Sequence, residues 1–143
     1  MVALFLLNSI VFAQETNTAA SSEPPMARAE RIFHETQAIL ATNSSPSDAN
    51  WHFGQACFDW AEYATNDTQR ADIANAGIAA CRALVAAQSN SAPAHYFLGM
   101  DLGELARTKW LGALSIVSEM EREFKIALRL DENFDYAGPD RNL

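Results

Sequence analysis

The stretch Phe124-Lys125-Ile126-Ala127-Leu128-Arg129-Leu130-Asp131-Glu132 sets a bulky ring three residues before a small side chain and closes on an acidic turn. The same frame stands 43 residues earlier as Cys81-x-x-Leu84-x-x-x-x-Ser89, and 43 before that as Ala38-x-x-Ala41-x-x-x-x-Pro46. A second frame repeats at 45 residues: Trp51, Phe53-Gly54, Asp59 and Ala61 return as Tyr96, Leu98-Gly99, Glu104 and Ala106. Fixed periods of roughly 20–50 residues mark arrays in which one supersecondary unit stacks on the next. Small residues then lie where helices cross closely, and bulky ones fill the space between layers.

Outward from these frames the apolar spacing is helical throughout. Residues 27–41 carry Ala29, Ile32, Phe33, Thr36, Ile39 and Leu40 at intervals of threes and fours. Residues 48–64, rich in Trp, Phe and Ala, read as a helix buried on most sides. Asn66-Asp67-Thr68 breaks the pattern with capping side chains. Residues 70–87 place Ile73, Ala76, Ala80, Leu84 and Ala87 on one stripe. Residues 93–106 form a helix with Gly99, Gly103 and Ala106 for close approach, and residues 114–130 carry Val117, Met120, Phe124, Ala127 and Leu128. No alternating strand pattern occurs, so the expected fold class is all-α with five helices.

Arg122-Glu-Phe-Lys-Ile-Ala-Leu-Arg-Leu-Asp-Glu-Asn133 resembles the second helix and exit turn of a tetratricopeptide repeat, and Ala94-His-Tyr-Phe-Leu-Gly99 is similar to the start of the first. The resemblance covers residues 27–136 and implies a right-handed solenoid of helical hairpins. Two departures stand out. The family's exit proline survives only as Pro46, with Ser89 and Glu132 at the later copies. The period exceeds the family's 34 residues, which puts an insertion near Arg107–Leu114 in the second hairpin. Elongated repeats of this kind are similar to those of the regulator of microtubule dynamics group and its bacterial relatives; no cytoskeletal role is carried over. The family's groove faces would fall near Trp51, Gln55, Asp59 and Glu62, and near Tyr96, Met100 and Glu104. His95 stands where the family has an aromatic packing residue, which implies a structural role.

The next first-type helix of this array is expected near Asp135, and the chain stops at Leu143. Helix 114–130 is therefore expected to show an apolar face, which self-association, a partner, or a longer protein would cover. Trp110, beside Lys109 and Gly112, is read as packing back over its own hairpin, with an exposed anchor as the alternative.

One domain's worth of material, 143 residues, carries 49% apolar and 20% charged side chains, an ordinary globular balance. The net charge of −8 argues against a nucleic-acid backbone or an anionic membrane surface as partner. Val2–Leu7 and Ile10–Ala13 form an apolar run too short to span a bilayer, and Val11-Phe12-Ala13 offers a cleavage site. Residues 1–13 are thus expected to be a signal peptide, though without a basic start, and an N-terminal strand or helix is the other reading. Residues 14–25 read as a flexible leader, leaving 26–143 as the repeat domain in a periplasmic or extracellular setting, with no membrane span after processing.

Catalytic, metal and cofactor chemistry find no constellation. His34, His52 and His95 never pair at helical spacing, and His34 and His52 read as surface or interhelix residues. Asp131-x-Asn133-x-Asp135 begins like a calcium loop but has Tyr136 at the sixth position and Asn142 at the twelfth. Gly138-Pro139-Asp140 reads as a turn. Cys57 and Cys81 fall at similar heights on one hairpin; a disulfide is open to them on export, and two packed thiols otherwise. Glu119, Glu121, Arg122, Glu123 and Lys125 read as a solvated charged face. The expected function is a non-enzymatic adaptor that binds a neutral or basic peptide or protein along its groove, with homo-oligomerisation through helix 114–130 open to it. The alternative is an accessory component of a periplasmic solute-uptake system that holds a small ligand.

Overall fold

The computed structural model describes residues 23–134. Five helices follow in order: α1 (Pro25–Thr42), α2 (Asp48–Ala61), α3 (Asp67–Ala87), α4 (Ala92–Arg107) and α5 (Ala113–Leu130). No strand occurs among the described residues, and no helix among them is long and apolar enough to cross a membrane. The segment expected to be a signal peptide, most of the leader and the turn at 138–140 lie outside the described residues.

Local chemistry sets the boundaries. Before α2 the Ser47 N–H donates to Asn50 Oδ1 at 2.9 Å. Asn66 accepts from the Gln69 N–H at 2.9 Å and starts α3 one turn earlier than the apolar stripe alone implies. Ser91 caps α4, which has a proline in its first turn. Gly112, at φ 84°, takes the left-handed conformation that admits glycine without strain and turns the chain into α5.

Each helix packs on its neighbour in sequence, and α2 also packs on α4. Two apolar clusters result. One joins α1, α2 and α3 through Phe33, Phe53, Cys57 and Ile73. The other joins α3, α4 and α5 through Ile78, Cys81, Phe97, Leu102 and Phe124.

The sequence period reappears in space. A Cβ added to Gly54 would lie 2.4 Å from Cys81 Sγ, and one added to Gly99 would lie 2.6 Å from the Phe124 ring. Gly54 and Gly99 are 45 residues apart, and Cys81 and Phe124 are 43 apart. The same holds for Asn50, whose amide donates to the Ala80 carbonyl at 3.0 Å, and His95, which meets Glu123 at 2.6 Å. The hairpins α2–α3 and α4–α5 thus use the same contacts. Because the Phe124 ring is almost fully buried, Gly99→Ala should cost a net of about 0–2 kcal/mol. The clash costs about 1–3 kcal/mol, and the helix-propensity gain of alanine returns about 1. Urea denaturation would check it.

Three expectations require correction. Helix α2 is not buried on most sides: Asn50, Phe53, Gly54, Ala56, Cys57 and Ala61 face inward, and His52, Gln55, Asp59 and Glu62 are exposed. Trp110 does not pack back over its hairpin; it is 96% exposed. Glu123 leaves the charged face of α5 and is buried against α4, where His95 draws it inward. Along α5, Phe124 and Ala127 are buried on α4, while Leu114 at its start and Leu130 at its end are exposed, as is Leu111 just before it.

Candidate functional site

A concavity of about 450 Å³ lies between α1 and α2. Ile32, Thr36 and Ile39 from α1 form one wall, and Ala49, His52 and Gln55 from α2 form the other. Ala56 closes the floor, and Asp59 stands at one end. The geometry follows from the stripe of α1. Phe33 turns into the core against Phe53, with ring centroids 5.5 Å apart. Its neighbours Ile32, Thr36 and Ile39 are rotated toward the cleft. Thr36 is bonded to its own helix through the Ile32 carbonyl at 2.8 Å, so this wall offers mainly hydrocarbon. His52 stacks on Trp51 at 3.6 Å, which braces the opposite lip.

A second depression of about 260 Å³ continues past Asp59 and Ile32 toward Arg28, Glu62 and Tyr63. Asp59 belongs to both. Partial desolvation there pushes its carboxyl above the usual carboxylate range. Glu62 closes the far end; burial opposes its charge, but the Arg107 guanidinium, which donates to it at 2.6 Å, holds its carboxyl below the usual range. An apolar trough with an acidic end suits a ligand that is apolar over most of its length and cationic at one point.

The seven residues expected to line a groove divide into three groups. Gln55 and Asp59 line the α1–α2 cleft, and Glu62 lines its continuation. Met100 lies in a separate depression of about 240 Å³ with Phe58, Gly103 and Met120, and Glu104 borders it. The remaining three belong to the interior. Trp51 is half-buried and lies parallel to Phe97, centroids 5.8 Å apart. Tyr96 is buried among Phe97, Phe124 and Phe134. Glu104 is buried and receives Arg70 Nε at 3.2 Å and Arg107 Nη1 at 2.8 Å. Tyr96 therefore offers no binding surface, because α5 covers it, and Glu104 reaches only the edge of the Met100 depression. The α1 wall was missed. Its signal was present in the stripe itself, which has more apolar positions than one packing contact can cover.

Beneath α2 and α4 lie three titratable groups that serve no cleft. Cys57 and Cys81 are free, buried thiols, and burial pushes both well above the usual thiol range. Asp101 is fully buried, and neither carboxyl oxygen has a hydrogen-bond partner. No group of three His, Cys, Asp or Glu side chains among the described residues could hold a metal ion. No family model matches the sequence, and no curated protein matches it.

Proposed function

We propose that this chain is a non-enzymatic helical-repeat adaptor of the tetratricopeptide type, exported to a periplasmic or extracellular space, that binds a peptide segment in the α1–α2 cleft. The observation that carries the reading is the apolar trough ending in Asp59. The contacts repeated between Gly54–Cys81 and Gly99–Phe124 support the repeat architecture. The apolar run at residues 2–13 supports export. The peptide would lay apolar side chains between Ile39 and Ala49 and set a Lys or Arg beside Asp59. Cleft volumes of roughly 300–1,000 Å³ hold a few side chains or a small molecule, so the affinity expected for a short peptide is modest.

The test is fluorescence anisotropy with a labelled Lys-and-Leu dodecapeptide and its Glu-for-Lys counterpart. The basic peptide should bind more tightly. Asp59→Asn should weaken it about fivefold, the effect of roughly 1 kcal/mol for a partly exposed pair. Ile39→Lys should abolish it by placing a charge on the apolar wall. Binding that is indifferent to both substitutions would place the site elsewhere.

A further inference from the structure

Three large apolar side chains stand almost wholly in solvent between α4 and α5: Trp110 at 96%, Leu111 at 82% and Leu114 at 84% exposure. A folded chain rarely presents such side chains together without a surface to receive them. They are not on a loose end. Left-handed Gly112 turns the chain beneath them, and Ser115 Oγ donates to the Gly112 carbonyl at 2.9 Å to close the first turn of α5. Lys109 precedes the group and makes no ion pair among the described residues. The tip is thus an exposed apolar knob with a cation on one side.

The α1–α2 cleft has the complementary character. Its α1 wall is mainly hydrocarbon, Ile39 remains 55% exposed on its lip, and Asp59 stands at its end. Knob and cleft are carried by different hairpins, α4–α5 and α1–α2. We propose that the Trp110–Leu114 tip of one copy enters the α1–α2 cleft of another, so that the chain assembles head to tail with Lys109 beside Asp59. This rests on the reading of the cleft as a peptide site and names this chain's own residues 109–114 as an occupant.

The charge arrangement selects this pairing over a symmetric one. Two knobs facing each other would bring two Lys109 side chains together and leave both clefts open. One knob in one cleft pairs opposite charges and covers both apolar surfaces. A buried aromatic side chain contributes roughly 150–250 Å². Three side chains therefore cover less than the roughly 800 Å² per partner of a stable complex, and the association is weak and concentration-dependent. A heterologous contact that does not close extends into open chains. An anionic lipid surface fits the knob less well, since the net charge is −8.

Sedimentation equilibrium on the full chain tests the proposal. The weight-average mass should rise above 15.7 kDa with concentration, and tryptophan emission should shift to the blue as Trp110 leaves water. Trp110→Ser with Leu111→Ser should hold the protein at monomer mass, and so should Ile39→Lys. Both changes fall on exposed side chains, and unchanged thermal melts would show that folding is intact. Mixing the two variants is the decisive arm. One retains a cleft and the other a knob, so together they should form a one-to-one pair and nothing larger.

A wild-type chain that stays monomeric while the Lys-and-Leu peptide still binds the cleft would overturn self-assembly and leave the adaptor reading standing. If neither peptide nor knob enters the cleft, both fall. Knob-dependent binding to phosphatidylcholine vesicles by a monomeric chain would assign the tip to a lipid surface and overturn the proposal.

Discussion

His95→Ala should lower stability by about 3 kcal/mol at pH 6, the lower end of the range for removing one partner of a buried ion pair. His95 Nδ1 lies 2.6 Å from Glu123 Oε2, and Nε2 lies 3.1 Å from the Ser89 carbonyl. Both neighbours are acceptors, so both ring nitrogens donate and the imidazole is held as the cation. The Glu123 hydrogen bond raises the His95 pKa above its ordinary 6.5 against the desolvation that opposes it. Burial works against the Glu123 carboxylate, and His95 and Arg122 outweigh it, so that its pKa falls below the ordinary 4.5. Removing the imidazole would leave Glu123 inside with only exposed Arg122, 2.9 Å from its other oxygen. That residual partner is why the lower end of the range applies.

The pH dependence follows from the two directions. The His95 contribution is complete below pH 6.5 and fades as pH rises through the elevated folded value. The Glu123 contribution is complete above pH 4.5 and fades as pH falls through the depressed one. The difference between wild type and His95→Ala should therefore be largest between about pH 4.5 and 6.5 and shrink on both sides. Chemical denaturation across pH 3–9 measures it. A difference under about 1 kcal/mol at pH 6 would mean that α5 is held to α4 by Phe124 and its neighbours alone.

Asp101→Asn should remove the loss of stability that the wild type undergoes as pH rises from about 4 to 7. Asp101 is fully buried between α2, α3 and α4, close to Gly54 and Gly77, without a partner for either oxygen. Desolvation pushes its carboxyl well above the ordinary 3.8, and the charges of Glu104 and Asp59 push the same way. The folded protein must keep this group protonated, while the unfolded chain releases the proton freely above about pH 4. Stability is thus favoured at low pH and is lost as pH rises toward the folded value, by about 1.4 kcal/mol per pH unit. Asparagine has nearly the same shape and no such proton. The gap between the two proteins should close below pH 4 and widen steadily above it. A gap that does not change between pH 4 and 7 would show that Asp101 reaches water or an acceptor in solution.

The helical order was legible because it is local. Spacings of three and four residues locate five helices, and Asn66 marks a start with a side chain that acts within one turn. The repeated frames marked small and bulky positions, and the structure pairs them: Gly54 meets Cys81 and Gly99 meets Phe124. The candidate site was less legible. Asp59 lies on an open face, but Glu104, its counterpart one repeat later, is buried. Equivalence in sequence did not carry equivalence in exposure, because the second copy is covered on sides where the first is open.

What the sequence determined by itself is the class of structure, the number of helices and the small positions at which they cross, since each depends on side chains a few residues apart. Only the tertiary structure decided the fate of the polar and amphipathic groups. Glu123 turns inward because His95, 28 residues away, supplies a cation in a site closed to water. Glu104 is buried because Arg70 on α3 reaches it. Trp110 stands in solvent because no helix lies over the α4–α5 turn among the described residues. Ile39 lines a cleft because α1 presents more apolar surface than α2 covers. An apolar periodicity states that a face wants burial; the long-range partner that supplies or withholds a covering surface, a counter-charge or a hydrogen bond decides whether it is met.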